Sequence, residues 1–392
     1  MDETYLFIQG PPGTGKTYTA SHLILGLMKA KKKVGVSANS HKVIHNLLKA
    51  VEERADEAGF SFKGVKKASW SSDETRFDGH FIENAETNED VCLALPNAHL
   101  VAGSAWLFAS FSGHQPFDYL FIDEAGQLSL ANLIAAGTSA KNVVLIGDQM
   151  QLAQPTQGTH PGESGLSVLD YLLQGRHTIP PEEGVLLETT YRMHPKVCGF
   201  ISEAVYDGRI RSLAGLDTQS LLHYGAPTKD IPSAGITCHL IDHDDSVQRS
   251  DEEAEHVREL YQRILKLRYR DRHGKEHAFA PDNILVVSPY NMQVNNLKRV
   301  LGNEARVGTV DKFQGQEAEV VIVSMATSSP EEIPRGIDFL YSQNRLNVSL
   351  SRARICSILV MSPQLMNVRC GSVEQMKLVN TLCWARQYAL SS

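Results

Sequence analysis

Residues 10–17 read Gly10-Pro11-Pro12-Gly13-Thr14-Gly15-Lys16-Thr17. An apolar run, Tyr5-Leu6-Phe7-Ile8, leads into them, and a stretch of helical composition, Tyr18 to Lys29, follows. A strand, a glycine-rich loop and a helix in that order turn the GxxxxGK[ST] pattern from a simple turn into a phosphate cradle. Gly10, Pro12, Gly13, Thr14 and Gly15 would shape a loop whose backbone N–H groups wrap a β-phosphate, with the positive end of the helix dipole behind it. Lys16 can reach the β- and γ-phosphates, and Thr17 can offer a hydroxyl to Mg²⁺. A nucleoside triphosphate is the expected ligand.

Working outward, the pattern up to about residue 50 alternates strand and helix: 5–9, 18–29, 33–37 and 42–54. From 56 to 97 that rhythm fades into Ser, Asp, Glu, Asn and Lys, which predicts a surface insertion. It resumes with strands at 99–104, 119–123 and 142–147 and a helix at 130–137. Such alternation implies a parallel sheet covered on both faces. Pro180-Pro181-Glu182-Glu183-Gly184 reads as a linker, after which a strand at 185–188 opens a second β/α series running to a closing helix at 373–390. The expected division is therefore 1–183 and 184–392.

Composition narrows the class. The chain has 392 residues, of which 42% are hydrophobic and 21% charged. That length and balance suit a globular protein of two domains. No apolar run approaches the roughly 18–20 residues that span a bilayer. The acidic start MDETYLFIQG does not resemble a signal peptide. Six scattered cysteines show neither a CxxC pair nor zinc spacing, which fits reduced thiols in a cytoplasmic setting. A formal net charge of −7 excludes a surface coated in positive potential but leaves room for a local groove that takes nucleic acid.

The second phosphate-site element is Tyr119-Leu120-Phe121-Ile122-Asp123-Glu124. Its apolar strand delivers two adjacent carboxylates at the carboxyl end, where parallel sheets bind ligands. Asp123 is expected to hold the Mg²⁺ shell and Glu124 to orient and deprotonate the attacking water. Val143 to Leu152 supplies a further strand followed by Gly147-Asp148-Gln149-Met150-Gln151, and Gln151 is placed to sense the γ-phosphate or its water.

With these motifs in order, and with Thr190-Tyr191-Arg192-Met193-His194-Pro195, Val310-Asp311-Lys312-Phe313-Gln314-Gly315-Gln316-Glu317 and Asn344 to Arg354 behind them, the chain resembles superfamily 1 helicases. The likeness is to the branch of the nonsense-mediated-decay and Okazaki-fragment helicases, and most of all to the helicase half of bacterial RecB-like nuclease–helicase fusions. It spans Leu6 to about Met361. It implies two RecA-like parallel-sheet P-loop domains in tandem, in the α/β class, hydrolysing ATP with Mg²⁺ in the cleft between them. Arg192 and Arg352 would be arginine fingers, guanidinium being planar and permanently charged. Tyr191 would stack on adenine, Glu317 would accept from the ribose hydroxyls, and Gln314 would shape that loop and couple ATP to nucleic acid. Arg345 and Arg354 read as packing, salt-bridge or nucleic-acid residues.

Single strands are gripped by phosphate contacts and stacking. The matching segments suggest Asn39, Ser40, Ser104, Tyr290 and Thr309 as contacts, although a residue such as Ser40 before a helix serves equally as an N-cap. The resemblance further implies a monomeric translocase on single-stranded nucleic acid, DNA rather than RNA, moving 5′ to 3′. The family's upstream glutamine motif, stalk and small β-barrel have no counterpart in this sequence, and no nuclease constellation is visible. The expectation is the motor of a longer or split protein, with a nuclease domain or subunit supplied elsewhere. Two other readings stay open: a nucleotide-dependent clamp for nucleic acid or protein that does not unwind, and a P-loop kinase acting on a small molecule.

Overall fold

The computed structural model describes residues 1–111, 113–152, 161–225, 230–313, 315–329 and 336–391. Gln314 and residues 153–160 lie outside the described residues. The chain forms two compact units: Met1–Pro11, Gly15–Gln149 and Ala153–Leu187 make the first, and Pro12–Thr14, Met150–Leu152 and Glu188–Ser392 the second.

The first unit is built on strands β1 (Tyr5–Gln9), β2 (Val34–Ala38), β3 (Gly64–Lys67), β4 (Ile82–Ala85), β5 (Leu100–Gly103), β6 (Phe117–Asp123), β7 (Ala140–Gly147) and β8 (Gly184–Leu186). They form one sheet in the order β4-β3-β5-β2-β6-β7-β1-β8, parallel at each pairing. Its helices are α1 (Lys16–Lys29), α2 (His41–Glu57), α3 (Asn88–Ala94), α4 (Ala105–Ala109), α5 (Leu130–Gly137) and α6 (Val168–Leu173). Every residue of β2 is buried, as expected where helices cover both faces. Successive residues of β1 point to opposite faces. Phe7 enters a core with Leu107, Phe108 and Leu169, and Ile8 a core with Ile24, Met28 and Leu47. Helix α2 buries Ile44, Leu47, Leu48, Val51 and Ala55, the three-and-four spacing of an amphipathic helix.

Two sequence expectations are corrected in this unit. The 56–97 stretch is not a surface excursion, because β3 and β4 extend the main sheet in parallel register. These strands are four residues each, Gly-Val-Lys-Lys and Ile-Glu-Asn-Ala. They are too short and too polar to announce themselves by periodicity. Likewise the strand at 185–188 does not open the second domain. Residues 184–186 form β8, which pairs with β1 through Phe7–Gly184, Ile8–Val185 and Gln9–Leu186, and the division falls after Leu187.

The second unit contains β9 (Thr189–Thr190), α7 (Pro195–Val205), β10 (Arg211–Ser212), β11 (Ser220–Leu222), β12 (Gly235–Leu240), α8 (Asp251–Leu265), β13 (Arg268–Arg270), β14 (Glu276–Ala278), β15 (Ile284–Val287), α9 (Asn291–Leu301), β16 (Arg306–Gly308), β17 (Ala318–Ser324), α10 (Ile337–Leu340), α11 (Gln343–Leu350), β18 (Ala353–Met361) and α12 (Val373–Ser391). Its main sheet is parallel, in the order β12-β18-β17-β15-β16. All seven residues of its central strand β17 are buried. The antiparallel sheet β11-β13-β14 is not foreseen from the sequence, since three-residue strands carry little pattern.

Candidate active site

At the carboxyl end of β1 the chain turns into the glycine-rich loop. Gly15 takes φ 83° as it enters α1. This is a left-handed conformation that glycine adopts without strain. Lys16 Nζ folds back onto the carbonyl of Gly10 at 2.7 Å. A Cβ on Gly10 would sit 2.1 Å from Lys16 Cγ, so only glycine leaves the lysine its channel. Pro12, Gly13 and Thr14 group with the second unit, and Thr14 is buried.

Asp123 ends β6 and is buried. Burial and then the Glu124 charge push its carboxyl up to about 7, against the opposing pull of Lys16 and of the Glu124 N–H, which donates to Asp123 Oδ1 at 2.9 Å. A buried carboxylate in that state is short of positive charge. Together with the Thr17 hydroxyl it offers the hard oxygen donors that Mg²⁺ prefers, so the residues fit that ion. Glu124 sits at φ 51°. That conformation costs a non-glycine residue roughly 1 kcal/mol or more and is commonest where function fixes a side chain.

Sequence reasoning missed a buried amide pair beneath this site. Gln9 Nε2 donates to Gln149 Oε1 at 3.1 Å and to the His177 carbonyl at 2.9 Å, while Gln9 Oε1 accepts from Ile179 N at 2.8 Å. Gln149 Nε2 also donates to the His177 carbonyl, at 2.7 Å. The available signal was a glutamine inside an otherwise apolar strand, directly before the loop. Gln151 groups with the second unit and is buried there, its carbonyl accepting from Asn344 Nδ2 at 2.5 Å.

The second unit holds its own cluster. Arg192 Nε donates to Glu317, and Arg192 Nη1 to the Ser351 carbonyl at 3.1 Å. Arg354 donates to Glu317 at 2.5 and 3.1 Å and to Glu319 at 2.7 Å. Burial tends to raise the Glu317 carboxyl, but Arg192 and then Arg354 outweigh it and hold it below the usual carboxylate range. With Tyr191, which is half exposed, these groups line a cavity of about 350 Å³. That size falls at the small end of ligand pockets. Arg352 is buried, with Nη1 3.4 Å from the Gln316 carbonyl. Arg345 pairs with Asp311 at 3.3 Å and lies over the Phe339 ring.

The suggested nucleic-acid contacts divide. Ser40 is the N-cap of α2, its Oγ accepting from Val43 N at 3.3 Å, and both it and Asn39 are exposed. Ser104 precedes α4 with no capping bond from its side chain and lines a cleft. Thr309 is half-buried, and its carbonyl accepts from Lys312 N at 3.1 Å. Tyr290 is a correction: it is 3% exposed and packs against Phe339, so its ring is core and not a ligand platform. An aromatic before a helix carries no sign of which way it faces.

The chain belongs to the AAA domain family, whose profiles match residues 1–225 and 166–364. Among its curated relatives is the DNA replication ATP-dependent helicase/nuclease dna2 of Schizosaccharomyces pombe, 26% identical across 91% of this chain and 26% of that protein. Another is the DNA polymerase alpha-associated DNA helicase A of the same organism, 25% identical across 88% of this chain and 59% of that protein. The chain thus spans only part of the length of these relatives. Among solved structures, the DUF1998 helicase MrfA bound to DNA and AMPPNP matches with a TM-score of 0.50 at 11% identity, covering 98% of this chain and 48% of that one, a likeness of fold alone. The sequence resemblance to superfamily 1 helicase motors holds at the level of family.

Proposed function

We propose that this chain is an ATP-driven motor that translocates along single-stranded nucleic acid and separates strands, with DNA as the substrate. The observation that carries the reading is the row of strand ends in the first unit: Lys16 and Thr17 beyond β1, and Asp123 and Glu124 at β6, at one edge of one parallel sheet. In this reading Lys16 binds the β- and γ-phosphates, Thr17 and Asp123 hold Mg²⁺, and Glu124 orients and deprotonates the attacking water. Mg²⁺ would neutralise phosphate charge when bound. Arg192 and Arg352 act on the γ-phosphate, Gln151 reports its state, Tyr191 stacks on the base, and Glu317 takes the ribose hydroxyls. For the last role Glu317 must share its carboxylate with Arg192 and Arg354, which already hold it.

DNA is preferred because the two relatives described above carry DNA replication or DNA helicase in their names, and movement from 5′ to 3′, a monomeric state and a nuclease partner belong to the same reading. So does a cytoplasmic setting: among the described residues no helix is long and apolar enough to cross a membrane, and the six cysteines are free thiols. The decisive experiment measures ATP turnover with single-stranded DNA, with single-stranded RNA and with neither, followed by tailed duplexes of each polarity. Stimulation by DNA and separation of a 5′-tailed duplex are expected. Turnover indifferent to nucleic acid would remove the motor reading, and stimulation without strand separation would leave a nucleotide-dependent clamp.

A further inference from the structure

The main sheet of the second unit ends on one side at β12, which pairs with β18 and, among the described residues, has no strand on its other side. Ile241, directly after β12, donates its N–H to the Met361 carbonyl of β18 at 3.0 Å. Backbone groups alternate sides along a strand of a parallel ladder. Thr237 and His239 therefore also face β18, while Ile236, Cys238 and Leu240 turn theirs to the free edge. The Cys238 carbonyl bears this out, accepting from Arg386 Nη1 of α12 at 3.1 Å. An edge of this kind is a template for one more strand.

A groove of about 730 Å³ follows that edge, bordered by nearly every residue from Pro232 to Ile241. Ile236 and Cys238 share a core with Val197 of α7 and Leu382 of α12. His239 points to the other face, with Nδ1 2.8 Å from His256 Nε2 of α8 and Nε2 2.8 Å from the Asp230 carbonyl. One wall thus carries Lys196, Arg386 and Leu390, and the other His239, His256 and Asp230. The walls are unequal in charge. Asp230 is the one carboxylate among the described lining residues, and Arg263 already holds it at 3.6 Å. Burial keeps both histidines below their ordinary range, so the charge of the groove comes from Lys196 and Arg386. Leu390 is 72% exposed beside them. Helix α12 begins after residues 166–364, where the family profile ends, and none of the motif residues described above lines the groove.

We infer that the free edge of β12 binds an extended acidic peptide of a partner protein, which joins the five-stranded sheet as a sixth strand. The six residues of β12 span roughly 20 Å. A groove that follows such a length suits an extended chain better than a compact ligand, and main-chain bonds to an open edge are a general mode of peptide recognition. Side chains of the added strand alternate between the two walls. Those on the α12 side meet Lys196 and Arg386 and are acidic, while those on the α8 side meet neutral imidazoles and are uncharged. Arg386 then passes from the Cys238 carbonyl to a peptide carboxylate, a stronger partner, and leaves that carbonyl to a peptide N–H. A second copy of this chain is the poorer occupant, because pairing two β12 edges sets Lys196 and Arg386 against the same cations. Nothing in the site depends on the proposed motor activity.

The test follows fluorescence anisotropy of labelled octapeptides titrated with the chain. The probes are alternating Glu and Val, alternating Lys and Val, and two forms of the acidic peptide, N-methylated at every Glu or at every Val. The proteins are the unaltered chain, Lys196→Glu, Arg386→Glu and the double variant, with thermal melts to check the fold. The acidic peptide should bind the unaltered chain and the basic one should not. Each substitution should weaken acidic-peptide binding about tenfold, and the double variant should take the basic peptide instead. One of the two N-methylated forms should bind at least about fivefold more weakly, and which one it is gives the direction of the added strand. Amide exchange at Ile236, Cys238 and Leu240 should slow when the acidic peptide is bound. Equal binding of acidic and basic peptides, full affinity of both N-methylated forms, or no saturable binding of the acidic peptide would each overturn the site. So would a dimer of the chain, seen by sedimentation, that the acidic peptide does not disperse. ATP turnover is read alongside, so a failure of peptide binding with turnover intact overturns the edge site and leaves the motor reading standing.

Discussion

Two regions share the carboxyl edge of the first sheet and are reached by opposite routes. The loop beyond β1 is local: eight consecutive residues, one helix and one lysine folded onto its own loop carbonyl. The cleft beyond β3, β5 and β2 is assembled from four stretches, around His41, 66–75, Asn88 and 104–107, none of which forms a motif by itself. Both exploit the same physics, the exposed strand ends of a parallel sheet. They differ in what a substitution should do, because one is proposed to hold the reacting phosphates and the other rests on the buried Lys66.

The largest separation is expected at Lys16. Lys16→Ala should lower ATP turnover by at least about a hundredfold, read as phosphate release, since the phosphates lose their one loop cation. Turnover near the unaltered rate would disconnect the loop from the chemistry. Glu124→Gln should cut hydrolysis by about 10²–10⁴ while nucleotide still binds, as measured by fluorescent-nucleotide titration. Loss of binding along with hydrolysis would mean that Glu124 builds the pocket instead of activating water. Arg352→Ala tests the other unit and should slow turnover by roughly 10³ if its guanidinium serves the γ-phosphate. An unchanged rate would reduce it to the packing role its burial also suits.

The smallest expected effect concerns Lys66, which supports the cleft. Burial, and then the neighbouring Lys67 charge, lower its ammonium to about 8 from an ordinary 10.5. Between those values the unfolded chain binds a proton that the folded chain has released, so this residue makes stability rise with pH across that window. Lys66→Met should abolish that increment, visible as a melting temperature that changes less between pH 8 and pH 10 than in the unaltered chain. An identical pH profile in the two proteins would place the lysine's charge outside the balance that folds β3.

The contrast also explains how far the sequence can be read. Its pattern gives helix α5 at the observed bounds, and α1, α2 and α12 within a few residues, because amphipathic or apolar segments of two turns and more stand out from the loops around them. Strands β3 and β4 escape it because four residues near a sheet edge leave no period to detect, and β8 is read as a strand but given to the wrong domain because the proline-rich stretch before it looks like a linker. Arg192, Glu317 and Arg354 can be singled out individually, but their mutual ion pairs cannot, since 125 residues separate Arg192 from Glu317.

The sequence by itself determined the phosphate loop, the carboxylate pair Asp123-Glu124 and the α/β class, because each depends on residues close together in the chain. Only the tertiary structure decided that β3 and β4 within 56–97 belong to the sheet, that Tyr290 is core, that Gln9 and Gln149 share a buried bond, and that Trp106 lines one cleft with His41 and Thr75. The physical reason is common to all four. Burial and exposure are properties of what packs on a residue, and for these positions the packing partner lies far along the chain.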